Sequence, residues 1–89
     1  VSDFIQDLAD DLARDVLAGS VELEDPFFYE KVAKVLGASS PTLQEVFMTS
    51  IRIRLAEKRA REFFDKAMDA KRKGAKLPEA PREAEKGGH

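Results

Sequence analysis

PTLQEVFMTSIRIRLAEKRAREFFDKAMDAKRK, residues 41 to 73, is the stretch that decides the fold. Its only proline is Pro41 at the first position, it contains no glycine, and Gly74 follows it directly. The spacing predicts one helix from Pro41 to about Lys73. In the first half the large apolar residues are Leu43, Val46, Phe47, Met48, Ile51, Ile53 and Leu55. In the second they are Ala56, Ala60, Phe63, Phe64, Ala67 and Met68. At about 100° per residue the two sets centre well over a quarter turn apart. The helix therefore offers two faces: one to pack on the rest of the chain, and one that needs another cover. Glu57 with Arg61, Glu62 with Lys66 and Asp69 with Lys73 stand four residues apart in the favourable order, each pair supporting the helix by about 0.2–0.5 kcal/mol. Its length would be about 50 Å at 1.5 Å per residue.

Two alternatives compete over this stretch. Phe47 to Leu55 alternates and carries β-branched Thr49, Ile51 and Ile53, which suits a short strand, but no comparable run exists to pair with it. A break near Arg52 to Leu55 would instead fold the second half back into a four-helix bundle.

Upstream, two shorter helices are expected. Ser2 is a candidate N-cap, with Asp3 and Asp7 near the positive end of the first helix. Phe4, Ile5, Leu8, Leu12, Val16 and Leu17 recur at helical spacing to about Ala18, and Gly19 is the expected stop. Asp25 and Pro26 form the next start signal. Phe28, Val32, Val35 and Leu36 are the expected inner face, with Gly37 as the stop. Ser40 and Pro41 repeat the start signal for the long helix. The expected fold is all-α: two shorter helices packed on one long C-terminal helix in residues 1–74. The Lys/Glu/Ala/Pro-rich residues 75–89 are expected to be a disordered tail.

With 89 residues and no cysteine, the chain is one small domain held by packing alone, where stability is marginal and a second subunit helps. No segment approaches the roughly 20 apolar residues of a membrane span, and the start as given has no basic leader pattern, so the cytoplasm is the expected compartment. The net charge of -2 hides a strong polarity. Residues 1 to 45 hold ten acidic and three basic side chains; residues 46 to 89 hold seven and twelve. An acidic first helix beside a basic third helix, of the same chain or a neighbour, would satisfy both poles.

Enzymatic and cofactor chemistry find no support in the residues. Asp7, Asp10, Asp11 and Asp15 form a carboxylate stripe, but a regular helix cannot wrap a calcium ion, so a solvated face is expected. The sole histidine is His89 at the chain end, which leaves no histidine-based metal or catalytic set. No metal, no cofactor and no small-molecule substrate are inferred. Phe27, Phe28 and Tyr29 cannot all face one core, so at least one is expected at the surface or as a staple over the preceding turn.

Two binding surfaces remain, both on the long helix. Ile53, Ala60, Phe63, Phe64, Ala67 and Met68 are the candidate interface, with small alanines among phenylalanines allowing close helix approach. They suggest a self-associating, non-enzymatic interaction module, a homodimer by antiparallel pairing of this helix, or an adaptor for another protein. Arg52, Lys58, Arg59, Arg61, Lys66, Lys71, Arg72 and Lys73 are a candidate basic patch for nucleic acid. Glu57, Glu62, Asp65 and Asp69 interrupt that patch, and the helix is too long for a compact helix-turn-helix reader, so nucleic-acid binding stands second.

Overall fold

The computed structural model describes residues 2–81. Three helices follow in order: α1 (Ser2–Leu23), α2 (Phe28–Ser39) and α3 (Pro41–Lys73), with no strand among the described residues. Residues 41 to 73 form one helix, without the strand or the break weighed against it. The chain divides into two compact units, one up to Leu55 and one from Ala56 onward. Residues 75–81 carry no helix. The rest of the expected tail, 82–89, and the capping role expected of the Ser2 side chain lie outside the described residues.

The helix ends explain where two expectations miss. Gly19 does not stop α1, which continues to Leu23. Its stop is Glu24, whose φ of 55° is left-handed. The Glu24 N–H donates to the Val21 carbonyl and the Asp25 N–H to the Ser20 carbonyl, each at 3.1 Å, the paired bonds of a Schellman ending. Gly37 does not stop α2 either, since the helix runs to Ser39. Gly74 behaves as expected: with φ of 72° it donates to Lys71, and Ala75 donates to Ala70 at 2.8 Å.

The start signals hold with one adjustment. The helical span of α2 begins at Phe28, after a turn in which the Asp25 carboxylate accepts from the Phe27 N–H at 3.0 Å. Ser40 joins α2 to α3 alone. Its N–H donates to the Leu36 carbonyl at 2.7 Å, and its hydroxyl accepts from the Leu43 N–H at 3.1 Å, so one residue closes one helix and caps the next.

The core of the first unit is built on small residues. Ala9 and Ala13 from α1, Ala33 from α2, and Phe47 and Ile51 from α3 are its buried apolar members. Ser20 and Ser50 are buried beside them. Leu12, Val16 and Leu17 pack against this centre and are only partly buried. Small side chains of this kind allow close packing of helices, and Phe47 and Ile51 are the largest fully buried residues. Gly37 has the same use. A Cβ there would stand 2.6 Å from Nε2 of Gln44, whose amide donates to the Ala33 carbonyl at 2.9 Å. Several residues expected in the core lie outside it: Phe4, Leu8 and Val35 are exposed. Beside Leu8, Ala9 takes the inner position instead.

Candidate functional site

The second unit carries an apolar row whose first half is exposed. Ala56, Ala60, Phe63, Ala67 and Ala70 follow one another at alternating intervals of four and three residues, the repeat that keeps one seam along a helix facing a partner. Ala56 and Ala60 are exposed, Phe63 is 37% exposed, and Phe64 beside it is 56% exposed. Ala67, Met68 and Ala70 are half-buried. A hollow of about 250 Å³ opens between Glu57, Ala60, Arg61 and Phe64, its rim held by Arg61 donating to Glu57 at 2.9 Å. Five of the six candidate interface residues, Ala60, Phe63, Phe64, Ala67 and Met68, therefore share this unit.

Ile53, the sixth, belongs to the first unit and is 63% exposed. It lies two residues, about 200° of helix, from buried Ile51, which is the switch of sides expected from the sequence. Beside it is a polar clasp between α1 and α3 that sequence reading did not find. Arg54 donates from Nε to the Ser50 hydroxyl at 3.2 Å and from Nη2 to the Asp10 backbone carbonyl at 3.3 Å. Gln6 donates to the Asp10 carboxylate at 3.0 Å. Ser50 beside Asp10, then Gln6 and the Arg54 charge, hold the Asp10 carboxyl below its usual range. These residues line a hollow of about 300 Å³ with Ile53. The clasp engages Asp10, which the sequence placed in the carboxylate stripe of α1.

Charges flank the apolar row. Arg59, Lys66 and Lys73 repeat every seven residues along one flank, with Glu62 and Asp69 one step further out on that same flank and Asp65 on the far side of the helix. Lys73 is bound to Asp69 at 3.0 Å, and Arg61 to Glu57. Arg59 and Lys66 make no ion pair among the described residues, nor do Arg52, Lys58, Lys71 and Arg72 of the basic patch. On α1, Asp3, Asp7, Asp11 and Asp15 repeat every four residues, all exposed, next to exposed Phe4 and Leu8. Arg14 binds Asp11 at 3.3 Å and Asp15 at 3.2 Å, so the carboxylate stripe is a solvated face braced by one arginine.

The aromatic cluster divides as its spacing requires. Phe27 is exposed, Tyr29 packs against the core, and their rings lie 6.3 Å apart. Lys31 sits 5.5 Å from the Phe28 ring and binds Asp25, which makes this a closure of the α1–α2 turn.

Among the described residues no group of three metal-ligating side chains occurs, and no helix is long and apolar enough to cross a membrane. Comparison with family models, with curated proteins and with solved structures found no match.

Proposed function

We propose that this protein is a small non-enzymatic interaction module of the cytoplasm that self-associates by docking a helix on the second half of α3. The observation that carries the reading is the apolar row itself: two adjacent exposed phenylalanines among alanines at seam spacing. Leaving such a row in water has no structural benefit, whereas covering it contributes about 1.5–3 kcal/mol for each large side chain buried. Alanines on either side set no steric limit on a partner backbone. The arrangement fits recognition of a helix.

Sedimentation equilibrium over a range of loading concentrations tests it. Association should persist at high salt and be lost in Phe64→Glu with helix content unchanged. A wild-type monomer at high micromolar concentration would overturn the reading.

One observation favours a second reading, in which the basic side of α3 binds nucleic acid: six of its eight candidate residues have no ion-pair partner among the described residues. Such binding would weaken steeply with salt, roughly as the number of phosphates neutralised, and would be indifferent to Phe64→Glu.

A further inference from the structure

We propose that the apolar row of α3 is covered by the outward face of α1 from a second copy of this chain, with Arg59 and Lys66 set against Asp3, Asp7 and Asp11. This rests on the self-association proposed above and names its partner surface.

Pairing of the row with itself meets an electrostatic obstacle. In an antiparallel pair the two copies of a given flank lie side by side. At the positions nearest the row this flank carries Arg59, Lys66 and Lys73, with Glu62 and Asp69 one step further out, so self-pairing brings the cations together along the seam. A parallel pair stacks Phe63 on Phe63 between layers of alanine, leaving gaps beside each ring that cost packing energy.

α1 supplies what α3 lacks. Its outward face carries Asp3, Asp7, Asp11 and Asp15 in one row, and the sole base among its residues, Arg14, is already bound to two of them. Phe4 and Leu8 are exposed beside that row, 63% and 45%, and the core gives no reason for them. Large side chains on α1 meet alanines on α3, and carboxylates meet the basic flank. The lengths also agree: α1 spans about 33 Å and Ala56 to Lys73 about 27 Å at 1.5 Å per residue. Opposed flanks of this kind select the partner more than they add affinity.

Charge reversal on the full chain tests the pairing by sedimentation equilibrium at about 0.1 M salt, where such contacts are only partly screened. Arg59→Glu alone and Asp7→Lys alone should each weaken association roughly tenfold. Arg59→Glu/Lys66→Glu and Asp7→Lys/Asp11→Lys should each be monomeric, while their equimolar mixture should associate as wild type does, because each copy then meets an opposite face. Circular dichroism of each variant checks that the helices remain. Tightening by Arg59→Glu would overturn the proposal in favour of α3 pairing with itself. Wild-type association in both reversed variants, with loss in Phe64→Glu, would keep self-association and overturn the role of α1. A wild-type monomer, with or without salt-sensitive binding to duplex DNA, would overturn both.

Discussion

Gly37 stands two residues before the end of α2 and is helical, so replacing it with alanine should ordinarily stabilise the helix by about 0.5–1 kcal/mol. Here a neighbour opposes the gain. The added Cβ would lie 2.6 Å from Nε2 and 2.9 Å from Cδ of Gln44, closer than carbon atoms tolerate. Gln44 must swing away, which breaks its 2.9 Å bond to the Ala33 carbonyl. That half-buried bond contributes about 1 kcal/mol. Gly37→Ala should therefore change stability by less than about 0.5 kcal/mol in the wild-type chain. In a Gln44→Ala background the obstruction is gone, and the same substitution should stabilise by about 0.5–1 kcal/mol. Urea titration of the four variants by circular dichroism gives the cycle, with an expected coupling of about 1 kcal/mol. An equal gain from Gly37→Ala in both backgrounds would refute the contact between α2 and α3 on which this rests.

Other perturbations follow from single features. Glu24→Gly relieves a left-handed conformation that costs a non-glycine residue about 1 kcal/mol, so thermal melting should rise by a few degrees; a fall would contradict the Schellman ending. Ser40→Ala removes the hydroxyl that accepts from Leu43 and should cost about 1 kcal/mol in urea titration. Phe47→Ala empties a fully buried position at a cost of about 3–5 kcal/mol, enough to unfold a unit this small, as loss of helix content would report. The Asp10 carboxyl is held below its usual 3.8, so its stabilising effect is full above that value and is lost as pH falls through the lower folded value. Urea midpoints should thus drop on acidification below about pH 4, and by less in Ser50→Ala.

The three helices were legible because their boundaries rest on local chemistry. Asp25 with Pro26 and Ser40 with Pro41 set the two turns, and Gly74 takes a positive φ as a C-terminal glycine should. Gly19 and Gly37 misled because a glycine ends a helix only where the chain turns left-handed, and neither does. The core was read in part: Leu12, Val16, Leu17, Val32 and Leu36 pack on it as expected, but Ala9, Ala13, Ala33, Ser20 and Ser50 are among its most enclosed members, and no pattern within one helix singles out such small residues. The exposed row of α3 was legible because its apolar set leaves the side that Phe47 and Ile51 bury. The clasp of Asp10, Ser50 and Arg54 was not, because it depends on the register of α1 against α3, which involves residues 44 apart.

The chain contains no tryptophan, so Phe64→Trp would place a single fluorescent reporter on the proposed interface. Its emission should shift to shorter wavelength as protein concentration rises, with a midpoint matching that of sedimentation. Emission that stays at the position of a fully hydrated indole up to high micromolar concentration would contradict docking of a helix on this half of α3.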